Sequence, residues 1–510
     1  MTAPLKRSRR AIAIPLGMAT ATALAFLPNA GASAAEAEAP QQVAADATAL
    51  SYVVNVQPGH APSSTVKKAI AAAGGTIVTS YDQIGVIVVH SSNADFAKTI
   101  RGVRGVQSAG NTRNAPLPAQ STTDVGTPTV LTAEEVAEVT NTQAVAGQDP
   151  LEPLQWDLPA IKADKAHETS LGSSKVTVAV IDTGVDDTHP DIAPNFDRDA
   201  SVNCVTGKPD TADGAWRPSA AESPHGTHVA GEIAGAKNGV GITGVAPGVK
   251  VAGIKVSTTA GYFYTEAVVC GFVWAAEHGV DVTNNSYYTD PWYFNCKDDP
   301  DQKALVDAIT RASQYAEKKG TVNVAAAGNE NYDLAADSIT DPVSPNDGTP
   351  SDRVIDPSKC YDIPTQLPGV VTVASTGAKG LKSSFSNYGQ GVIDIAAPGG
   401  DSTAYQTPAP PATSGLILGP LPGGKWGYMA GTSMASPHVA GVAALIKSTH
   451  PNASAALVKA LLYAEADATP CTDPYDINSD GKVDAVCEGT TNRNGFYGWG
   501  TADALDAVTK

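Results

Sequence analysis

Residues 175–182 read Lys-Val-Thr-Val-Ala-Val-Ile-Asp, an almost wholly apolar run that ends in a carboxylate. Because the run is apolar on both faces, it predicts a strand of a parallel sheet with helices on each side. Helical and strand-like patterns alternate beyond it. Helices are predicted from about 225 and at 265–278, 303–318, 432–448 and 452–466, and strands at 280–286, 321–327 and 370–374. This alternation predicts an α/β fold.

The N-terminal region predicts a second, smaller unit. Residues 51–107 contain strand-like and helical patterns in the order β-α-β-β-α-β, which is typical of a ferredoxin-like α+β unit. Residues 114–150 are rich in Thr, Ala, Pro and acidic residues, and we interpret them as an exposed linker that is easily cut. The small unit is therefore predicted within 35–113, with its core at about 50–110, and the α/β domain at 151–510.

Residues 1–34 have the pattern of a signal peptide. Basic residues at 6, 7, 9 and 10 precede an apolar run from 11 to about 27. The small residues Ala32-Ser33-Ala34 follow and match the Ala-x-Ala pattern of a signal-peptide cleavage site. No later apolar run is long enough to span a bilayer. We therefore expect a secreted, extracellular protein with no membrane segment once the signal is removed.

The overall composition excludes one class of partner. Hydrophobic residues make up 42% of the chain and charged residues 17%, as in folded globular proteins. The formal net charge is -18, whereas nucleic-acid binding requires a basic face that displaces counterions. We therefore expect no nucleic-acid partner, and we interpret the acidic surface as one that keeps an exported protein soluble.

The six cysteines of an exported chain predict three disulfides, although six cysteines allow fifteen pairings. Cys471 and Cys487 flank one compact loop and are expected to pair with each other. For the other four, the sequential pairing is 204 with 270 and 296 with 360. A metal site is the alternative, but the sequence contains no Cys-x-x-Cys pair to support it.

Three short motifs carry residues that acyl transfer requires. They are Asp182-Thr183-Gly184, His225-Gly226-Thr227-His228 and Gly431-Thr432-Ser433. A serine hydroxyl attacks a carbonyl group only when an imidazole takes its proton, and a carboxylate must hold that imidazole in the correct tautomer. A serine that opens a helix also lies beside unpaired backbone N–H groups, which stabilise negative charge. The alternative is that Ser433 only caps its helix.

The three motifs, in this chain order, resemble the signatures of the subtilisin-like serine peptidases, and the resemblance covers roughly 151–510. It implies that Asp182 orients His225, that His225 acts as general base and then acid, and that Ser433 is the nucleophile. It also implies that Asn329, which follows Ala327-Gly328, donates to the oxyanion. The implied fold is a subtilisin-like parallel sheet with helices on both faces.

The resemblance further implies where substrate binds. The strand at 280–286 would pair with the substrate backbone, and Ser286, Tyr287 and Tyr288 would line the pocket for the side chain before the scissile bond. The family usually has a small apolar residue and then glycine where this chain has the two tyrosines. A tyrosine at the glycine position is expected to narrow or reshape this pocket. Which side chain the pocket prefers is left open.

Calcium is the one cofactor that the sequence suggests, at two places. The first is an EF-hand-like loop whose alternating acidic and amide residues are Asp476, Asn478, Asp480 and Asp484. Cys487 stands where the closing acid would be, so a disulfide-closed acidic turn without metal is the alternative. The second place is implied by the family resemblance alone and comprises Glu152, Asp191 and Asn238.

The small N-terminal unit resembles the propeptide of subtilisin-type precursors, which assists folding and then occludes the active site; an accessory domain is the alternative. We therefore predict a monomeric, secreted serine endopeptidase acting on peptides or proteins, with its own propeptide as intramolecular inhibitor. The maturation cut would lie between 114 and 152. Alternatives are an exopeptidase whose loops at 333–355 and 408–424 block the cleft, a non-catalytic peptide-binding protein, and an esterase.

Overall fold

The computed structural model describes residues 49–114, 127–142, 145–472, 474–477 and 480–510. The predicted signal peptide at 1–34 lies outside the described residues. Among the helices that are described, none has the length and apolar character that a bilayer crossing requires.

The N-terminal unit is a four-stranded antiparallel sheet with two helices on one face, in the strand order β2-β3-β1-β4. Its elements are β1 (Leu50–Val56), α1 (Ser64–Ala72), β2 (Gly75–Tyr81), β3 (Val86–Ser91), α2 (Phe96–Arg101) and β4 (Val106–Asn111). Alternate residues of β1, such as Tyr52 and Val54, pack against Ile70 and Phe96 of the helices. The predicted β-α-β-β-α-β order is confirmed.

The predicted linker contains a short strand, β5 (Thr129–Val130), and a helix, α3 (Ala133–Thr142), neither of which was predicted from the sequence. A capping box begins the helix, because Glu135 N donates to Thr132 Oγ1 over 3.2 Å and Thr132 N donates to Glu135 Oε2 over 2.7 Å. The sequence Thr-Ala-Glu-Glu carries this signal. None of the residues of α3 is buried, so the helix lies on the surface.

The remaining elements belong to the α/β domain. Its helices are α4 (Asp157–Ala160), α5 (Ala163–Ala166), α6 (His225–Ala234), α7 (Thr265–Glu277), α8 (Pro300–Lys319), α9 (Thr432–Thr449), α10 (Ala455–Ala464) and α11 (Asp506–Thr509). Its strands are β6 (Thr177–Asp182), β7 (Val202–Asn203), β8 (Lys250–Lys255), β9 (Val282–Asn285), β10 (Asn295–Cys296), β11 (Val322–Ala326), β12 (Ile339–Asp341), β13 (Arg353–Ile355), β14 (Cys360–Tyr361), β15 (Val370–Thr376), β16 (Ile395–Pro398), β17 (Ile417–Leu421), β18 (Lys425–Met429), β19 (Gly489–Thr490) and β20 (Arg493–Asn494).

Seven of these strands form the central parallel sheet, in the order β16-β15-β11-β9-β6-β8-β7. Within β6, Val178 and Val180 face the apolar cluster of α6 and α9, whereas Ala179 and Ile181 face that of α7 and α8. Burial on both faces explains why this strand has no polar alternation. The predicted parallel sheet with helices on both faces is confirmed.

All three expected disulfides are present, as Cys204–Cys270, Cys296–Cys360 and Cys471–Cys487. The first joins the end of β7 to α7, and the second joins β10 to β14. In the chain-entropy account, closing loops of 66 and 64 residues stabilises the fold by about 4 kcal/mol each. The cysteines are therefore structural and not metal ligands.

The free face of the N-terminal sheet packs onto α7 and α8 of the α/β domain. Val53, Val86 and Val88 belong to the same apolar cluster as the inner faces of these two helices. Gly110 of β4 lies so close to α8 that a Cβ atom would come within 2.3 Å of the Asp301 carbonyl oxygen. The two units thus share a continuous apolar core, with polar contacts at its margin.

Candidate active site

The first part of the site is formed where β6 ends and α6 begins. Asp182 is the last residue of β6 and His225 the first of α6, and both side chains are buried. His225 Nδ1 lies 2.8 Å from Asp182 Oδ1 and 3.0 Å from Oδ2. Glycine is required at 226, because a Cβ there would lie 2.4 Å from the Gly184 carbonyl oxygen. The strand end and helix start thus hold the carboxylate against the imidazole.

The other ring nitrogen of His225 has a different environment. Nε2 is buried and makes no hydrogen bond to any residue that the structure describes. When Nδ1–H donates to Asp182, a neutral imidazole carries its lone pair on Nε2. Thr183 N donates to Asp182 Oδ1 over 2.6 Å, which further fixes the carboxylate. The arrangement therefore presents Nε2 as a proton acceptor.

Ser433 is the second residue of α9, and its side chain remains partly exposed. Its Oγ lies 3.4 Å from the Ser286 carbonyl oxygen, and Ser286 Oγ donates to the Ser433 carbonyl oxygen over 3.1 Å. The first turn of a helix has backbone N–H groups without intrahelical partners. The hydroxyl therefore lies beside groups that stabilise negative charge, at the carboxyl end of β9.

Asn329 lies beside this helix start, and its amide is oriented by Thr432. Its Oδ1 accepts from Thr432 N over 2.8 Å and from Thr432 Oγ1 over 2.9 Å. Gly328 N in turn donates to Thr432 Oγ1 over 3.0 Å. Because the amide oxygen is occupied by these two donors, the NH2 group of Asn329 is available to donate to another oxygen.

One cavity brings the predicted substrate residues together with Ser433 and Asn329. Its lining residues are Ser286, Tyr287, Tyr288, Tyr293, Ala326, Gly328, Asn329, Glu330, Asp362, Thr432 and Ser433. The Tyr287 ring stacks on Phe263 with centroids 4.7 Å apart, and its hydroxyl donates to Asn285 Oδ1 over 2.9 Å. Tyr287 is therefore fixed as part of the wall.

Sequence reasoning missed two acidic residues of this cavity, Glu330 and Asp362. Glu330 directly follows Asn329, so its position in the chain was a usable signal. Asp362 follows β14, a strand of two residues that pairs with β10 in a separate small sheet. The neighbouring disulfide Cys296–Cys360 fixes this segment, and no local pattern in the sequence indicates that it reaches the cavity.

The second histidine of the HGTH motif, His228, has both ring nitrogens engaged. Nδ1 lies 2.6 Å from Glu232 Oε1, and Nε2 lies 3.1 Å from the Gly427 carbonyl oxygen. Burial lowers the pKa of His228 to about 3. A neutral imidazole donates from one nitrogen only, so Nε2–H donates to the Gly427 carbonyl oxygen and Nδ1 accepts from the Glu232 carboxyl, whose pKa burial raises well above its usual value. Both ring nitrogens are thus engaged, and His228 does not compete with His225 for a role at Ser433.

At the second of the suggested calcium places, protein groups engage most of the side-chain oxygens, but Asp191 Oδ1 is buried and accepts no hydrogen bond from any described residue. Glu152 Oε2 accepts from Thr243 Oγ1 over 3.1 Å and pairs with Lys237. Asp191 Oδ2 accepts from Trp426 Nε1 over 2.7 Å, and burial raises the pKa of Asp191 to about 7. Asn238 Nδ2 donates to the Pro190 carbonyl oxygen over 2.9 Å. A buried carboxylate oxygen without a donor is compatible with a cation, and calcium here stays a prediction.

The suggested EF-hand-like loop is an acidic turn within the described residues. Asp476 accepts from Asp480 N over 3.1 Å and from Gly481 N over 2.8 Å, and Asp484 Oδ2 accepts from Ile477 N over 2.9 Å. Asn478 lies outside the described residues. The carboxylates thus accept hydrogen bonds from backbone N–H groups within the turn, and calcium at this loop also stays a prediction.

Comparisons with known proteins agree with this fold. The subtilase family profile matches residues 173–500. M-protease of Shouchella clausii is 33% identical over 325 residues, which are 64% of this chain and 66% of that protein. Subtilisin Savinase of Lederbergia lenta is 31% identical over 322 residues, which are 63% of this chain and 94% of that protein.

Among solved structures, the epidermin leader peptide processing serine protease of Staphylococcus aureus superposes with a TM-score of 0.63. It covers 90% of this chain and 98% of its own, at 23% identity, so it supports the fold alone. The family match extends over more than half of the chain and includes β6, α6, β11 and α9, which hold the site. The chain therefore belongs to the subtilase family of subtilisin-like serine peptidases.

Proposed function

We propose that this chain is a secreted serine endopeptidase, made as an inhibited precursor, that hydrolyses peptide bonds through Asp182, His225 and Ser433. The observation that carries the proposal is the buried carboxylate–imidazole pair, whose free Nε2 faces no other partner among the described residues. A buried imidazole with one oriented nitrogen and one free nitrogen is the arrangement that a general base requires. The disulfides and the signal-like N-terminus support export.

The proposed reaction proceeds in two halves. Ser433 Oγ attacks the carbonyl carbon while His225 Nε2 takes the hydroxyl proton, and the negative oxygen formed accepts from Asn329 Nδ2 and from backbone N–H groups of α9. His225 then gives the proton to the leaving amine, which leaves an acyl group on Ser433. Water, activated by the same imidazole, releases the acyl group and regenerates the serine.

A fluorophosphonate probe tests the proposal directly, because it reacts with an activated serine hydroxyl and not with an ordinary one. The mature protein is expected to be labelled at Ser433, with loss of casein cleavage in proportion to labelling. A protein that binds peptides without cleaving them would remain unlabelled, and that outcome would contradict the proposal. If the protein cuts peptides only two or three residues from their free N-termini, its activity would be that of an exopeptidase and the proposed endopeptidase activity would be wrong.

Replacing Asn329 by alanine tests the proposed oxyanion contact. We expect kcat to fall about 10²–10³-fold, the magnitude known for the corresponding donor in subtilisin. KM should change little, because the amide donates only once the tetrahedral oxygen forms. Steady-state kinetics on a chromogenic peptide measure kcat and KM separately. Asn452→Ala, which removes the same side chain from an exposed position outside the cavity lining, is the matched control and should stay near the wild-type kcat. An equal loss in both variants would indicate a general effect on the fold and not the loss of the oxyanion contact.

The inhibitory role of the N-terminal unit is part of the proposal and is supported by its tail. Arg113 forms an ion pair of 2.6 Å with Glu266, whose side chain is 1% exposed, and its guanidinium lies over the Tyr264 ring. Asn114 then donates from its backbone N to Asp347 Oδ2 over 2.7 Å. The neighbouring Asn346 donates to the hydroxyl of Tyr288, a cavity residue, over 3.0 Å. The tail thus leads toward the margin of the cavity.

Arg113→Ala is expected to release this tail. The intact precursor should then react with a fluorophosphonate at least about 10-fold faster, because breaking a buried ion pair costs several kcal/mol. Initial labelling rates on uncleaved precursor are the measurement. Arg104→Ala removes the same charge from an exposed position of the same unit and should leave the rate unchanged. Equal rates for the two variants would contradict an inhibitory role for the Arg113 contact.

A further inference from the structure

The cavity beside Ser433 has a buried acid that the proposed reaction does not use. Asp362 lines the cavity, and only 2% of the residue is exposed. Its Oδ1 is buried and accepts no hydrogen bond from any group in the described part of the chain. Burying a carboxylate oxygen without a donor is unfavourable, and native proteins keep such groups rarely and usually for a functional reason.

A second acid lies in the same wall. Glu330 as a whole residue is exposed, but its Oε2 accepts from protein donors: Asn329 N at 2.8 Å, Asn387 Nδ2 at 3.3 Å and the Tyr293 hydroxyl. Burial of its carboxyl raises the pKa of Glu330. Burial, and then the negative charge of Glu330, raise the pKa of Asp362 well above its usual range. No lysine or arginine is among the residues lining the cavity.

Two acids in one cavity whose lining holds no lysine or arginine, one of them with a buried oxygen that accepts no hydrogen bond, form a site for an added positive charge. We propose that this cavity receives the lysine or arginine side chain of the residue before the scissile bond, and that Asp362 selects it. The inference rests on the proposed function, since it names the substrate of the same site. A cationic side chain supplies the missing donor, whereas an apolar side chain leaves Asp362 Oδ1 without one.

The aromatic walls fit the same occupant. The rings of Tyr288 and Tyr293 lie with centroids 4.7 Å apart, and Tyr287 completes the wall. Flat rings accommodate the alkyl stem of a lysine or arginine and attract its charged end. They also exclude water, which strengthens the attraction between that charge and the carboxyl groups. The tyrosines at 287 and 288 thus suit a long cationic side chain.

The preference has a consequence for the chain's own linker. Residues 114–161 contain no lysine or arginine, and Arg113 is the last basic residue before Lys162. Arg113 is itself held by Glu266. The enzyme is therefore expected to cleave its own linker poorly, although the linker residues described at 127–142 are mostly exposed. The maturation cut predicted between 114 and 152 is then expected to need another peptidase.

The test compares peptide substrates that differ only in the residue before the scissile bond: arginine, lysine, phenylalanine and leucine. We expect wild-type kcat/KM to be about 100-fold higher for arginine or lysine than for phenylalanine. Asp362→Asn should lower kcat/KM for the two basic substrates about 100-fold, because it removes one partner of a buried charge pair. Values for phenylalanine and leucine should change by only a few-fold. Asp352→Asn, an exposed acid upstream, is the matched control.

Two outcomes would overturn the inference: a wild-type enzyme that prefers phenylalanine or leucine, or an Asp362→Asn variant that keeps the preference for basic residues. If Asp362→Asn does not fold, the wild-type kcat/KM values for the four peptides still test the preference for basic residues. Labelling by a fluorophosphonate separates this result from the proposed function. A labelled enzyme without basic preference contradicts only the role of Asp362, whereas an unlabelled protein that cleaves none of the four peptides contradicts the proposed function itself.

Discussion

Replacing Ser433 by alanine is expected to lower kcat for peptide hydrolysis about 10⁶-fold, the magnitude that the corresponding serine has in subtilisin. The expectation follows from the position of the hydroxyl at the start of α9, beside Asn329 in the cavity. The other serine and threonine hydroxyls that line this cavity are engaged, because Thr432 Oγ1 donates to Asn329 Oδ1 and Ser286 Oγ donates to the Ser433 carbonyl oxygen. Without Oγ no acyl-enzyme forms. Hydrolysis then relies on water alone, and only the oxyanion donors and substrate binding still contribute. A sensitive fluorogenic peptide and purified mature protein measure the loss.

The matched control for this variant lies on the same helix. Ser448→Ala removes a hydroxyl that donates to the Ala444 carbonyl oxygen over 2.7 Å, close to the other end of α9. It should keep kcat within a few-fold of wild type. Both variants should also keep the wild-type melting temperature to within a few degrees, since Ser433 is partly exposed. A Ser433→Ala protein that still cleaves casein at the wild-type rate would rule out the proposed nucleophile.

The parallel sheet and the position of the site were predictable because each depends on local sequence. An apolar run such as 175–182 forms a buried strand wherever it lies in the sheet, and its last residue must then project at the carboxyl end. The sequence pattern did not predict the strands β8 and β16, and the reason is again local. β8 has Gly253 at its centre, and β16 reads Ile-Ala-Ala-Pro, so neither has the β-branched pattern that indicates a strand.

The charge of the pocket, by contrast, could not be predicted from local sequence. Asp362 lies 71 positions before Ser433, in a segment whose path is set by the β10–β14 pair and the disulfide at Cys360. An acid in such a segment looks like any surface carboxylate until its burial and its neighbours are known. The tyrosines at 287 and 288 indicated an unusual pocket, and only the tertiary structure shows which charges lie behind them.

Replacing Asp182 by asparagine is expected to lower kcat about 10⁴-fold while KM stays close to the wild-type value. His225 Nδ1 lies 2.8 Å and 3.0 Å from the two carboxylate oxygens. Whichever way an asparagine amide is turned, its NH2 group would lie within this distance of Nδ1. That contact disfavours a proton on Nδ1 and moves it to Nε2, so the nitrogen that must accept the serine proton is already protonated. In a serine peptidase with the same triad, this substitution costs about 10⁴ in kcat.

The matched control uses the other end of the same strand. Asp197 accepts from the hydroxyl of Thr177, the first residue of β6, over 2.9 Å, so Asp197→Asn changes a carboxylate bound to β6 but remote from His225. It should leave kcat within a few-fold of wild type. Fluorophosphonate labelling of Asp182→Asn should slow along with kcat, because Asp182 acts through the imidazole and not on the substrate. An Asp182→Asn enzyme within 10-fold of wild-type kcat would mean that the imidazole tautomer is fixed by another group, and the buried pair would then be structural.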